Sequence, residues 1–377
     1  MEKKNMMIIV AALIIIVVVA AAAVVVMTGD DNDNNDNDEE EDAVFEPRTV
    51  TDGLGRQVTV TKVDKITSSG ATVSAMLCGL GLSDRIVGAT TDEGVYLEDP
   101  RIIGVTDDDF PKAIVDGLNA GTIKDLGAMW GMSAETVASA GGDIVVFTEF
   151  GFKPETGTEL DKLGITYVVL KNEANLQIAE DNIILLGDVF DKQSEAKNLV
   201  SEMNNVIDKV KKWCNNIDNT KLNGEKRVVA VMMTKTFATG PEYIDGTVVA
   251  ELGAINAFPE VGNYKEVSYE AIAAKNPEIM IYTSLGMGDG VTDPEAYIES
   301  IYEDPILGGI DASKNKQIHT CTGGAKNAIA YVDQGYVNAY AIYAMFIYQD
   351  FLGFDIPTVF TTENYYEYTE KFWNMIQ

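Results

Sequence analysis

Two glutamates, Glu135 and Glu270, occupy the same place in two matched stretches of the sequence. Residues 132–147 read MSAETVASAGGDIVVF and residues 267–282 read VSYEAIAAKNPEIMIY. In each, a serine can cap a helix and the glutamate falls in the first turn, where an acid stabilises the helix by about 0.3–1 kcal/mol. Capping accounts for either copy alone, but two matching copies indicate a pseudo-twofold surface that carries one acid on each side.

Histidine and cysteine are too scarce for most catalytic and metal sites. The single histidine, His319, argues against a histidine-based triad or a multi-histidine metal site, and its place within a predicted strand favours a structural role over ligation of haem iron. The cysteines, Cys78, Cys214 and Cys321, form no C-x-x-C motif and are interpreted as buried free thiols. We therefore predict no catalytic residues, no metal site and no cofactor.

A glycine-rich segment, SLGMGDGVTD at residues 284–293, follows a predicted strand and precedes a predicted helix. A dinucleotide loop has the same setting, but here Val291 replaces its third glycine and no acid follows at the proper distance. The ligand set of a calcium loop is also incomplete. We interpret the segment as a mobile lip of a binding cleft.

The elements that must position these residues alternate between strands and helices. Alternating polarity around the turn Asp52–Gly55 predicts a β-hairpin, and Ser68 and Ser69 are expected to cap the helix after the next strand. A long helix is predicted over residues 191–216 because apolar residues recur every three or four positions. Strand–helix alternation on both sides of it predicts an α/β fold of two lobes with mainly parallel sheets, joined by one long helix.

The N-terminus is predicted to cross a membrane. Met6–Met27 is a run of 22 apolar residues, which would span about 33 Å as a helix. Lys3 and Lys4 precede it, so the N-terminus is placed in the cytoplasm and the remainder outside. No clean cleavage site follows, which favours an uncleaved single-pass anchor over a signal peptide. The acids and asparagines of Asp30–Asp42 indicate a disordered linker.

Composition and pattern together define the expected domains. With 59 acidic and 28 basic residues the chain carries a formal charge of −31, which excludes nucleic acid as a natural partner. The expected order is a transmembrane anchor or signal segment (1–28), an acidic disordered linker (29–48), an N-terminal α/β lobe (49–190), a long interlobe helix (191–218) and a C-terminal α/β lobe (219–377).

Over about residues 48–350 the chain resembles the substrate-binding proteins of ABC importers for iron–siderophore complexes, haem and cobalamin. The order and spacing of several segments carry the resemblance: TVTDGLGRQVTV, LCGLGLSDRIVGAT, LGAMWGMSAETVASAGGDIVVF, ELDKLGITYVVL, LLGDVFDKQSEAKNLV, VVAELGAINAF and VSYEAIAAKNPEIMIY. It implies two α/β lobes joined by one long rigid helix, with an iron chelate or corrinoid bound in the cleft between them.

The resemblance also implies a partner. In that family one glutamate on each lobe docks to basic residues of the permease dimer, and the permease works with an ATPase. By their position in the motif, the corresponding glutamates of this chain are Glu135 and Glu270. The sequence departs from the family at Val73, where an acid is often found, at Gly141–Gly142, where proline is usual before the acid, and in lacking a lipid-bearing cysteine.

Ligands of open α/β sheets bind beyond the carboxyl ends of the strands, so the loops that follow the strands should line the cleft. Four aromatic candidates could form a flat apolar wall or belong to ordinary packing: Tyr96, Trp130, Phe150 and Tyr243. Glu149 and Lys326 could contact polar groups of the ligand. The candidate ligand-cleft residues are Ser69, Tyr96, Met129, Trp130, Glu149, Phe150, Tyr243 and Lys326.

Two other functions stay open at this point. One is a surface enzyme on the same two-lobed scaffold, which the scarcity of histidine, the absence of a paired nucleophile and base, and the missing phosphate loop disfavour. The other is a ligand-sensing or adhesion ectodomain that has no permease partner. The sequence does not identify the ligand.

Overall fold

Two sheets of mainly parallel strands and one long helix organise the chain. The structure is a computed structural model. The residues that it describes are 45–90, 112–172, 175–286, 288–330 and 332–376. The predicted membrane anchor, nearly all of the acidic linker and Tyr96 lie outside these ranges. Within them, no helix is both long enough and apolar enough to cross a membrane.

The described part of the first lobe contains a hairpin, a sheet and five helices. Its strands are β1 (Arg48–Thr51), β2 (Gln57–Val60), β3 (Ile66–Ser69), β4 (Ile86–Ala89), β5 (Lys124–Asp125), β6 (Ile144–Thr148) and β7 (Thr166–Leu170). Its helices are α1 (Ala71–Gly79), α2 (Lys112–Ala120), α3 (Ala134–Ser139), α4 (Pro154–Leu163) and α5 (Leu176–Phe190). β1 and β2 pair antiparallel, which confirms the predicted hairpin, and the other strands form a parallel sheet in the order β5-β4-β3-β6-β7.

Asp52 closes the hairpin turn and attaches it to the sheet. Its Oδ1 accepts two backbone N–H groups of the turn, and its Oδ2 lies 2.6 Å from Arg56 Nη2. The N–H of Gly53 donates to the carbonyl of Val169 in β7 at 2.6 Å. A Cβ atom on Gly53 would collide with the backbone nitrogen of Lys171, so only glycine permits this close approach.

The cap predicted for α1 is wrong. Gly70 is the N-cap, at φ 106°, and no side chain caps the helix. The hydroxyl of Ser68 instead accepts a hydrogen bond from that of Ser74 at 2.7 Å. The hydroxyl of Ser69 is buried at the end of β3, with no hydrogen-bond partner among the described residues. Because glycine adopts a positive φ without strain, the chain turns at residue 70 before either serine reaches the first helical N–H groups.

The second lobe has a larger sheet. Its strands are β8 (Val228–Met232), β9 (Phe237–Thr239), β10 (Ile255–Asn256), β11 (Tyr264–Glu266), β12 (Ile279–Tyr282), β13 (Ile318–Cys321) and β14 (Val359–Phe360). Its helices are α7 (Ile244–Glu251), α8 (Tyr269–Lys275), α9 (Pro294–Tyr302), α10 (Asp311–Lys314), α11 (Gly323–Ala330), α12 (Val337–Ile347) and α13 (Tyr365–Ile376). The order is β11-β9-β8-β12-β13-β14, with β10 beside β8; β9 pairs antiparallel with its neighbours and the other pairings are parallel.

The long helix between the lobes, α6, spans Gln193–Thr220 and has 28 residues, which gives a length of about 42 Å. It begins two residues later than expected because Asp191, at φ 61°, ends α5 in the left-handed conformation. It also extends beyond the predicted end. Its buried face repeats at three- and four-residue spacing, as the sequence predicted: Ala196, Leu199, Met203, Val206, Ile207, Val210, Cys214 and Ile217.

Helix α12 is buried along its whole length between α6, α7 and α13. Buried hydroxyls need hydrogen-bond partners. Three tyrosines, two on α12 and one directly after it, donate to carboxylates of α6 and α7. The pairs are Tyr340–Glu251 at 2.8 Å, Tyr343–Asp245 at 2.6 Å and Tyr348–Asp218 at 2.9 Å. The first two bonds hold α12 on α7 within the second lobe, and the third joins this lobe to the long helix.

Asp245 makes the stability of the second lobe depend on pH. Burial raises the pKa of its carboxyl to about 7, so between pH of about 4 and about 7 the folded chain retains a proton that the unfolded chain has lost. The free energy of unfolding should therefore fall as pH rises through this window. Asp245→Asn keeps an acceptor for Tyr343 but cannot lose a proton. From pH 5 to pH 8, the free energy of unfolding of this variant should therefore rise relative to that of the wild type by on the order of 1–3 kcal/mol, as measured by urea denaturation at both pH values.

The exposed residue Asp208 on α6 provides the matched control for Asp245. Asp208→Asn replaces an exposed side chain and should change the free energy of unfolding by no more than about 0.5 kcal/mol. A difference between Asp245→Asn and the wild type that does not vary with pH would contradict the assignment.

Candidate functional site

Most of the candidate ligand residues follow strands at the carboxyl edges of the two sheets. In the first lobe, Ser69 ends β3, Glu149 and Phe150 follow β6, and the 3-10 turn Met129–Gly131 lies between β5 and β6. In the second lobe, Tyr243 is the N-cap of α7, and Lys326 lies in the first turn of α11, after β13. Tyr96 is outside the described residues.

Trp130 and Phe150 contact each other, and we call them the first aromatic pair. Their rings meet edge to face, with centroids 4.3 Å apart and an interplanar angle of 76°. The side chains remain 50% and 60% exposed, respectively. Lys153 Nζ donates to the carbonyl of Trp130 at 2.6 Å and so fixes the turn. Two large exposed aromatic rings in contact beside strand ends form an apolar surface suited to a flat ligand.

The Met129 side chain occupies space left by two glycines. A Cβ atom on Gly70 would lie 3.0 Å from its sulfur, and one on Gly151 would lie 2.8 Å from its Cγ. Both distances are shorter than ordinary van der Waals contact. Glycine at these positions therefore leaves room for the Met129 side chain beside residues 70 and 151.

Glu149 is exposed beside the first aromatic pair. Its backbone N–H donates to the carbonyl of Leu170 at 2.8 Å, and its carboxylate accepts the N–H of Asn172 at 3.4 Å. The residue thus connects the loops that follow β6 and β7. Its exposed carboxylate can also contact a polar group of a ligand.

Tyr243 contacts Tyr264 of β11, and we call these the second aromatic pair. The ring centroids lie 6.0 Å apart at 87°. Burial, with a smaller contribution from the charge of Asp245, raises the pKa of Tyr243 to about 12, so its hydroxyl stays protonated. Tyr264 is 56% exposed, and the sequence analysis missed it.

Lys326 is half-buried near the glycine-rich loop. Burial lowers the pKa of its ammonium group, and the charge of Asp289 opposes that effect. Asp289, which the sequence analysis also missed as a site residue, closes the loop: its Oδ1 accepts the N–H groups of Gly286 and Val291, both at 3.0 Å. A partly desolvated ammonium at this place would favour an anionic group on a ligand.

The two glutamates lie in equivalent local settings. The hydroxyl of Ser133 accepts the N–H of Thr136, and that of Ser268 accepts the N–H of Ala271, each at 3.2 Å. The pKa of each glutamate is lowered first by its own backbone N–H and then by the capping serine. Both carboxylates are exposed, and neither has an ion-pair partner within the described ranges.

The histidine and the cysteines, which are the other side chains suited to catalysis or metal binding, are buried in the core. His319 lies in β13 and stacks on Phe346 with ring centroids 4.6 Å apart, and burial lowers its pKa to about 4, so the imidazole is neutral. All three cysteines are buried. No cluster of three or more histidine, cysteine, aspartate or glutamate side chains in the described part of the chain could hold a metal ion.

A model of the periplasmic binding protein family matches residues 66–324. The match covers well over half of the chain, so the chain belongs to the periplasmic binding protein family. Membership makes it a binding protein and not an enzyme. No protein with a curated description matches the sequence.

Solved structures share the fold. A possible iron-binding (periplasmic solute-binding) protein from Staphylococcus epidermidis is 23% identical, with a TM-score of 0.61 over 76% of this chain and 99% of its own. A periplasmic heme-binding protein from Roseiflexus is 14% identical, with a TM-score of 0.56 over 76% and 99%. An ABC transporter substrate-binding protein from Listeria monocytogenes is 19% identical, with a TM-score of 0.57 over 76% and 100%. These likenesses support the predicted α/β fold of two lobes joined by a long helix.

Filling the space beside Met129 should disturb the first aromatic pair. Gly151→Ala would place a Cβ atom 2.8 Å from Met129 Cγ, which should displace Met129 and cost about 1 kcal/mol or more in the free energy of unfolding. The tryptophan emission of the full chain should shift as Trp130 loses its contact with Phe150. Gly131 belongs to the same turn as Met129, and a Cβ atom added there would have no neighbour within 4 Å. Gly131→Ala should therefore change neither the free energy of unfolding nor the tryptophan emission. Identical emission spectra for both variants would rule out this packing role.

Proposed function

We propose that the chain is the extracellular substrate-binding component of an ABC importer, which captures an iron chelate (siderophore or haem) or a corrinoid and delivers it to a permease dimer with its ATPase. Membership in the periplasmic binding protein family carries the proposal. The exposed pair Glu135 and Glu270, one on each lobe at equivalent helix starts, supports it.

The ligand class is supported by the similar structures. Those from Staphylococcus and Roseiflexus are described as possibly iron-binding and as heme-binding proteins, and the one from Listeria as an ABC transporter component. The first aromatic pair suits a chelate or macrocycle with a flat apolar face, and Lys326 suits an anionic substituent. We propose that the ligand lies in a cleft between the lobes. The candidate contacts are Ser69, Tyr96, Met129, Trp130, Glu149, Phe150, Tyr243 and Lys326.

Docking through the glutamate pair is physically reasonable. An exposed ion pair contributes only about 0–1 kcal/mol, so two such contacts give a reversible complex whose specificity comes from their spacing. Both carboxylates are ionised at neutral pH because their pKa values are lowered. Neither is engaged in an ion pair among the described residues, so both are available to basic residues of the permease.

We further propose that the apolar run Met6–Met27 anchors the chain in the cell membrane, with the N-terminus in the cytoplasm and the binding lobes outside. The acidic linker would then act as a tether. Tethering raises the effective concentration of the lobes near the permease and so strengthens a weak docking contact. This run lies outside the described residues.

The ligand proposal is tested by isothermal titration of the full chain in detergent with ferric siderophores, hemin and cyanocobalamin. At least one should bind. Trp130→Ala combined with Phe150→Ala should weaken that binding by about 30-fold or more, as expected for aromatic residues that dominate an interface. Leu163→Ala removes an apolar side chain that is 55% exposed on α4 and should leave affinity unchanged. Failure of every chelate to bind would contradict the proposal.

The docking proposal is tested by charge reversal. Glu135→Arg together with Glu270→Arg should abolish ligand uptake by cells that express the full chain with its permease, and ligand affinity should stay intact. Glu155 and Glu295 are exposed acids in the first turns of α4 and α9. Reversing that pair alters charge equally and should preserve uptake. Normal uptake by the first double variant would show that docking does not use these glutamates.

A further inference from the structure

A groove of about 470 Å³ lies where the long helix α6 and helix α7 end. Its lining includes residues of the last turns of both helices and of the chain that follows each of them. The candidate ligand residue Tyr243 caps the opposite end of α7, which has 8 residues and is therefore about 12 Å long. None of the candidate ligand-cleft residues lines the groove, so it is a second place where a small molecule could bind.

The groove is locally basic in a chain whose formal charge is −31. Lys211, Lys212 and Lys226 line it. Lys211 Nζ lies 2.6 Å from Glu251 Oε2, so these two charges neutralise each other. Lys212 and Lys226 have no ion-pair partner within the described ranges. Two unpaired ammonium groups at one concave site attract an anion.

The carbonyl groups at the two helix ends do not need these ammonium groups. Lysines near the end of a helix often donate to its last carbonyls. Here the carbonyl of Asp218 accepts the N–H of Gly224 at 2.8 Å. The carbonyl of Leu252 accepts the hydroxyl of Tyr348, also at 2.8 Å. The two unpaired ammonium groups are therefore available to a ligand.

The side chain of Asp218 adds a hydrogen-bond acceptor to the groove that it lines. Asp218 is only 7% exposed, and its Oδ1 accepts the hydroxyl of Tyr348 at 2.9 Å. Its Oδ2 has no hydrogen-bond partner among the described residues. A Cβ atom on Gly253 would lie 2.5 Å from this oxygen, so glycine at residue 253 leaves space beside it. A largely buried carboxylate oxygen without a partner favours a ligand that donates a hydrogen bond.

We propose that the groove binds inorganic phosphate as the hydrogen phosphate ion. Its oxygens accept hydrogen bonds from the ammonium groups of Lys212 and Lys226, and its hydroxyl donates to Oδ2 of Asp218. Sulfate has a similar shape and charge but carries no proton at neutral pH, so one of its oxygens would face the carboxylate without a hydrogen bond. The groove therefore selects phosphate over sulfate. This inference goes beyond the proposed function and does not depend on it.

Trp213 can report on occupation of the groove. It follows Lys212 in the chain, and its ring contacts Tyr348, the partner of Asp218, with centroids 5.8 Å apart. The full chain in detergent micelles is labelled with 5-fluorotryptophan, and the ¹⁹F resonance of Trp213 is assigned with Trp213→Phe. Inorganic phosphate, added at constant ionic strength, should shift this resonance in a saturable way.

Two other anions test the need for a donated proton. Sulfate should require a concentration about tenfold higher or more than phosphate to reach half-saturation, as expected for the loss of a hydrogen bond to a charged group. Glycerol 3-phosphate has an ester oxygen in place of one hydroxyl, and its remaining proton dissociates near a pH of about 6. At a pH of about 8 it should therefore bind as weakly as sulfate.

The role of the lysines is tested with two variants of equal charge. Lys212→Gln with Lys226→Gln removes both unpaired ammonium groups and should raise the half-saturation concentration of phosphate by about tenfold or more. Lys197→Gln with Lys209→Gln removes two exposed lysines of α6 that do not line the groove. That control should leave the half-saturation concentration unchanged.

Asp218→Asn tests the selectivity. The asparagine carbonyl can still accept the hydroxyl of Tyr348, and its N–H₂ group replaces Oδ2. This variant should bind sulfate and phosphate with similar half-saturation concentrations. The proposal is overturned if phosphate causes no saturable shift, if the wild-type chain binds both anions equally, or if Asp218→Asn retains the wild-type preference. Equal weakening of phosphate binding by the two double lysine variants would also overturn it, because general electrostatic attraction would then explain the response.

Discussion

Hydrogen bonds from three tyrosines to three carboxylates hold helix α12 in place, and one of them, from Tyr348 to Asp218, joins the second lobe to the long helix α6. Helix α12 is buried on every side, so each of these hydroxyls depends on a protein partner. Tyr340 and Tyr343 donate to α7, and Tyr348 donates to α6. Because Tyr243 is the N-cap of α7, these bonds also place one side of the candidate ligand site. The position of the site therefore depends on a junction buried away from it.

The same structural plan appears on both sides of this junction. Each lobe has a mainly parallel sheet, a short serine-capped helix with an exposed glutamate in its first turn, and an aromatic pair nearby. In a chain with a formal charge of −31, a single exposed acid cannot identify a docking point. The docking proposal therefore rests on two acids at equivalent places, whose spacing a twofold partner would distinguish. The partly desolvated Lys326 is a local exception to the acidic surface.

Local patterns predicted much of this arrangement. The period of apolar residues indicated α6, and serine followed by glutamate indicated α3 and α8, because these signals arise within one element. The strand-end rule nominated Trp130 and Phe150, although their contact is a tertiary feature. The expected serine cap failed for a local reason, because Gly70 turns the chain at a positive φ. Tertiary contacts explain the other omissions: Tyr264 is recognised only by its contact with Tyr243, and residues beyond the resemblance form β14 and α13 against β13 and α12.

The central claim is that a ligand is held between two lobes that present the glutamate pair to a permease. The most direct test is a crystal structure of the chain purified from its native source together with the ligand that accompanies it. The account predicts a chelate or corrinoid between the lobes, in contact with Trp130 and Phe150 on one side and near Lys326 on the other, with Glu135 and Glu270 free. A ligand bound away from both lobes' strand ends, or one that covers the two glutamates, would contradict it.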